Sequence, residues 1–191
     1  MNQLFKITPY LLAVQVLLTS CKSGITKETF QKEVDKINVN HLTDVEYRYT
    51  SKINYLGIDS ESHRDYDASY DEEHQGWCYP IDDYDPELVA YLYIPNIKIE
   101  SELTIFESFS PHLSADEYKV SFAYSTRPLS FTSKIKGINK QGLDYKDYTG
   151  KMYCEFNENG WLIYMTAYFE RYMIKTDSKL IEDIELFVTF K

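Results

Sequence analysis

The residues that could carry chemistry in this chain are few and widely spaced. Its cysteines are Cys21, Cys78 and Cys154, and its histidines are His41, His63, His74 and His112. The distance between Cys78 and Cys154 excludes a CxxC redox or zinc motif. Outside the cytosol the two could close a disulfide, and so long a loop would contribute roughly 4–5 kcal/mol on chain-entropy grounds. The other reading leaves two unpaired thiols, with Cys154 on a buried strand face. The histidines show no HExxH or comparable metal spacing. His63 and His74 do share an acidic stretch, Asp59 to His74, with Glu61, Asp65, Asp67, Asp71, Glu72 and Glu73, whose oxygens could bind a divalent cation. Asp65, Asp67, Ser69 and Asp71 are spaced like the start of a calcium loop, but Tyr70 stands where an EF-hand needs Gly and Gly76 where it needs a bidentate Glu. Alternation with Tyr66 and Tyr70 makes these acids the solvent face of a strand instead. No GxSxG, SxxK, Cys/His, GxGxxG or P-loop pattern occurs. Asp82, Asp83 and Asp85 ahead of Pro86 read as a turn. The expectation is a non-catalytic protein with no metal and no cofactor.

Tyrosine is the remaining unusual feature, at 18 residues beside 10 Phe. It combines apolar area with a polar tip, which suits a recognition surface or a partly wet cavity. Tyr47, Tyr49, Tyr91, Tyr93, Tyr164 and Tyr168 are the candidate ligand or partner surface. A half-buried sheet would use the same residues, because aromatic side chains are favoured in strands.

These side chains need a scaffold, and 191 residues with 43% hydrophobic content suffice for one domain with its own core. The aromatic content excludes a typical disordered chain. A net charge of −10 argues against nucleic acid as a partner, since phosphate binding needs a dense basic surface.

The N-terminus is a targeting segment. Lys6 precedes the apolar run Tyr10 to Leu18, broken only by Gln15, and polar residues follow Cys21. About nine apolar residues are too few for a helix that crosses a bilayer, which needs roughly 20. Leu18-Thr19-Ser20-Cys21 resembles the lipobox of bacterial lipoproteins: an aliphatic residue, two small residues and an invariant Cys. That resemblance implies diacylglyceryl transfer to the Cys21 thiol, with fatty acyl chains such as palmitate, and cleavage before Cys21. Residues 1–20 would be the signal peptide and 21–191 the mature domain. Losing Lys6 and no acid, the domain would carry −11. The anchor, not surface charge, would then hold it at the cell membrane or outer membrane, facing the periplasm or exterior.

In the mature chain, Thr26 can cap a helix whose Phe30, Val34 and Ile37 recur at helical spacing, with Ile25 placed to staple onto Phe30. Period-two alternation then takes over, at Val45 to Tyr55, Tyr66 to Tyr70, Tyr118 to Tyr124 and Ile184 to Phe190. Leu88 to Ile94 is apolar on both faces, as in a central strand, and Ile97 to Phe106 reads as another strand. Met152 to Met173 forms a hairpin around Asn159-Gly160. One helical turn is expected over Asp177 to Asp183, and a long loop over Gly137 to Gly150. The predicted fold is α+β: an N-terminal helix packed on a curved, half-barrel-like, mainly antiparallel sheet of seven to nine strands. This order is loosely similar to lipoprotein carriers of the LolA/LppX type, which implies a cleft for an apolar or amphipathic ligand. The competing expectation is an interaction module that presents strand edges or loops to an envelope protein or host molecule.

Overall fold

The computed structural model of the chain describes residues 24–39, 42–82, 85–109, 118–137, 145–173 and 176–191. Cys21, the signal segment, His41, Asp83 and His112 lie outside the described residues. The elements are α1 (Lys27–Asp35), β1 (Val45–Tyr55), β2 (Ile58–Asp71), β3 (Gly76–Asp82), β4 (Asp85–Leu92), α2 (Glu102–Ser108), β5 (Tyr118–Thr126), β6 (Leu129–Gly137), β7 (Tyr145–Phe156), β8 (Leu162–Met173) and β9 (Ser178–Phe190).

The strands form one open, curved, antiparallel sheet in the order β4-β3-β2-β1-β9-β8-β7-β6-β5. Two meanders grow outward from the central β1–β9 pair, in which Val45 faces Phe190 and Tyr55 faces Leu180. In chain order, α2 lies between β4 at one sheet edge and β5 at the other. With helices of only nine and seven residues, the architecture is sheet-dominated.

Alternation decides which side chains enter the core. On β8, Met165, Ala167, Phe169 and Arg171 are buried, while Tyr164, Thr166, Tyr168 and Glu170 turn the other way. Phe131, Ile135, Met152, Cys154, Leu186 and Val188 extend the same inner face across neighbouring strands. Both helices close over it. Thr26 caps α1 by accepting from the Thr29 N–H at 3.3 Å, and Phe30 and Val34 turn inward. The Phe30 ring lies 4.7 Å from that of Tyr124, and Ile25 bridges to Tyr124 along the outer edge of β5. Phe106 of α2 meets Phe169 edge-on at 5.9 Å. Trp77 seals the far end against Trp161 and Phe190, its indole N–H donating to the Thr43 carbonyl at 2.8 Å.

Several expectations are corrected. Glu102–Ser108 is helical, not extended: the Ser101 hydroxyl accepts from the Thr104 N–H at 3.1 Å and starts a helix despite local β-branched residues. β4 is an edge strand, not a central one. Residues 178–183 belong to β9, and Tyr145–Gly150 belong to β7, where the ladder with β8 overrides weak local signals. The β7–β8 hairpin uses a three-residue loop: Gly160 alone takes positive φ, and its N–H donates to the Asn157 carbonyl at 2.9 Å.

Candidate functional site

Among the described residues no helix lies on the outer sheet face. The residues alternate with the core there, so β1, β7, β8 and β9 contribute a continuous polar and aromatic surface. Phe187 is 42% exposed, and its ring lies 4.7 Å from that of Tyr164, which in turn lies 6.0 Å from that of Tyr153. This row crosses β9, β8 and β7. Beside it is a groove of ≈600 Å³ lined by Thr50, Lys52, Lys151, Tyr153, Tyr168 and Asp183. A second hollow of ≈430 Å³ lies on the other side of Phe187, with Arg48 and Asp65 on its wall.

Each tyrosine hydroxyl in this row and groove donates to a carboxylate. Tyr153 donates to Glu155 at 2.7 Å, Tyr164 to Glu185 at 3.2 Å and Tyr168 to Glu170 at 3.0 Å. Desolvation raises the pKa of all three phenols, and the adjacent carboxylates add to the shift. They are therefore neutral at physiological pH, and their chemistry is that of oriented ring faces. Lys179 pairs with Glu170 at 2.8 Å and holds that carboxyl below its ordinary range. The result is a fixed pattern of aromatic faces, ammonium groups and carboxylates.

The six tyrosines expected to form one surface are divided among three places. Tyr164 and Tyr168 belong to the outer face just described. Tyr47 and Tyr49 lie on the inner face of β1, half-buried, where Tyr49, Tyr47 and Tyr66 stack at 6.3 Å intervals and Tyr79 meets Tyr66 at 4.5 Å. Burial pushes the Tyr47 hydroxyl well above the usual phenol range, and neighbouring tyrosines reinforce the shift. Tyr91 and Tyr93 are on and just after β4. The Tyr91 hydroxyl donates to Asp71 at 3.0 Å, and its ring packs 4.5 Å from His74. His74 Nδ1 contacts Asp71 at 2.9 Å. That contact, with the Tyr91 hydroxyl and the turn N–H groups, brings the Asp71 pKa down to about 2.

The cysteines are both free thiols. Cys78 follows inward-facing Trp77 and so faces outward beside Tyr91, whereas Cys154 lines the core and is fully buried. Side chains aimed from opposite faces cannot meet disulfide geometry, so the bridge is excluded in this fold. Of the acids spaced like a calcium loop, Asp65 pairs with Arg48 at 2.9 Å and Asp67 with Lys191 at 2.6 Å. Among the described residues no group of three His, Cys, Asp or Glu side chains converges for a metal. Phe187 and Tyr153 are outer-face residues outside the set of six tyrosines expected from the sequence. The signal for Phe187 was the unbroken run Leu186-Phe187-Val188, apolar on both faces.

No protein-family model matches the chain, and no curated protein sequence is detectably similar to it.

Proposed function

We propose that the chain is a non-catalytic interaction module of a bacterial envelope, lipid-anchored through Cys21 and presenting its bare sheet face outward. The observation carrying this reading is the aromatic row Phe187, Tyr164 and Tyr153 beside the ≈600 Å³ groove, with hydroxyls fixed by carboxylates. Rigid, amphipathic rings with few rotatable bonds are efficient recognition groups. The lipobox resemblance of Leu18-Thr19-Ser20-Cys21 supplies the address. The carrier reading, a half-barrel cleft for an apolar ligand under the N-terminal helix, is less well supported. Phe30, Phe106, Phe131, Phe169, Met152 and Met165 are each at most 1% exposed and occupy the space between helices and sheet.

The test is photocrosslinking in a bacterial host that lipidates its own lipoproteins, with a photoreactive amino acid replacing Tyr164 or Phe187. Adducts of discrete mass from these positions, and none from a probe at Ala123 on β5, support the module. Stoichiometric lipid released from the protein in native mass spectrometry would instead establish the carrier. A protein that stays unacylated, as Cys21→Ser does, would remove the anchor from the proposal.

A further inference from the structure

The two edges of the sheet are finished differently. Along β5, Ile25 forms a bridge to Tyr124 and α1 packs against the strand, so part of that edge is covered. Beyond β4 no described strand or helix lies. Leu88 is 49% and Val89 39% exposed, and because they are adjacent they point to opposite faces. Ile81 on β3 and Tyr93 just after β4 are also exposed, at 55% and 64%. A strand edge of this kind offers a row of backbone donors and acceptors with apolar side chains above and below, which is the landing site of strand addition.

Charge selects the occupant. Residues 65–97 hold nine acids (Asp65, Asp67, Asp71, Glu72, Glu73, Asp82, Asp83, Asp85, Glu87) and no Lys or Arg. Since the whole chain has 30 acids and 20 bases, the other residues hold 21 acids and 20 bases, a net of −1. Nearly all of the net charge therefore belongs to the segment that forms the end of β2, β3 and β4. Arg48 and Lys191 offset Asp65 and Asp67. Among the described residues, Glu72, Glu73, Asp85 and Glu87 enter no ion pair. Pro86 and these acids discourage a second copy from pairing here, because like charges would be brought together across the new ladder. The same acids attract a basic chain.

We propose that β4 docks an extended, cationic segment of a partner protein, which adds as a tenth strand along Leu88–Leu92. Its basic residues would lie among Glu72, Glu73, Asp85 and Glu87, and its alternate apolar residues beside Leu88 or Val89. This inference is independent of the outer-face reading, since Phe187 and Tyr164 lie on other strands.

The experiment uses the full chain in detergent and a short labelled peptide of alternating Lys and Val. Companion probes carry Glu in place of Lys, or N-methyl groups on every Val or on every Lys. Fluorescence anisotropy should report binding of the cationic peptide alone, weakening as salt is raised. One of the two N-methylated sets should abolish binding while the other is tolerated, because only alternate N–H groups of a strand face its neighbour. Glu72→Lys with Glu87→Lys should weaken binding by about tenfold. Amide shift changes should fall on 88–92. Tyr164→Ala should leave binding unchanged, which separates failure here from failure of the outer-face proposal. The proposal is overturned by any of four results: no binding, equal binding of the acidic peptide, tolerance of both N-methylated sets, or shifts centred on β5. A concentration-dependent dimer that peptide cannot displace would also overturn it and assign the edge to a second copy.

Discussion

On β6, β7 and β8 alternate side chains are buried beneath α1 and α2, whereas in the β1–β2 hairpin no residue from 50 to 63 is buried. Both regions are paired along nearly their whole length, β1–β2 without a break and β7–β8 with irregularities between Lys146 and Tyr148 and between Glu155 and Phe156. Thr50 faces His63 and Tyr55 faces Ile58 as regularly as Cys154 faces Met165. Backbone pairing is thus at least as regular in the unburied hairpin as in the buried strands, and burial is the main variable. Backbone hydrogen bonds largely exchange for bonds to water, so the difference in stability between the regions comes from apolar area and packing. The hairpin end keeps its form because β1 is also paired to β9 on its other side.

That contrast can be broken most sharply with the two thiols. Cys154 is fully buried, and burial also raises its thiol pKa, so native-state labelling must wait for unfolding. Cys78, only half-buried, should react with a maleimide at least about a thousandfold faster, as a mass-spectrometric time course would read. Equal rates would mean that the β6–β8 region opens as readily as the edge. Phe169→Ala should cost about 3–5 kcal/mol in urea unfolding, because it opens a cavity beneath Phe106. Gly150→Ala should cost about 1–3 kcal/mol, since its Cβ would meet the Phe169 ring at 2.7 Å and Ile135 at 2.8 Å. Ile58→Ala, at 71% exposure in the hairpin, should change stability by no more than about 0.5 kcal/mol. A larger loss there would give the hairpin a packing role that its exposure does not suggest.

The last effect is read from its pH dependence, which falls in acid. Asp71 has a folded-state pKa depressed to about 2 from 3.8. Its contribution is therefore present above the unfolded pKa and is lost as pH falls from about 4 towards 2. Relative to wild type, Asp71→Asn should be less stable at neutral pH, with the gap closing over that window in pH-dependent thermal melts. A gap that persists at low pH would mean that the Asp71 interactions with His74 and Tyr91 do not depend on its charge.

Strands with one wet and one dry face were legible in the sequence. Val45 to Tyr49, Val120 to Tyr124 and Met152 to Phe169 alternate because each lies between core and solvent. The Thr26 cap was equally readable. Residues 58–64 were not, because neither face is buried and no apolar period exists to read. The register there depends on Leu56 and Gly57, which both take positive φ in a two-residue turn. The first turn of α2 hid behind Ile97, Ile99, Ile105 and Phe106, a strand-like composition that one capping serine overrides. The edge position of β4 was hidden for another reason. Apolar residues on both faces look the same whether covered by protein or left open. The candidate site was only partly legible: the sequence named Tyr164 and Tyr168, but which tyrosines share a face depends on pairing between distant strands.

The β1–β9 pair also has a temporal meaning. The strand that β1 needs on its inner side is the last element described, so a chain emerging from its N-terminus exposes one full side of β1 until β9 arrives. Throughout that interval the first meander has two open edges, one on β4 and one on β1. Pairing over so long a sequence separation is slow to form, and unpaired edges are the usual starting points of misassembly. By their like charge, the acids concentrated on this meander oppose pairing between nascent copies while β1 is still unmatched.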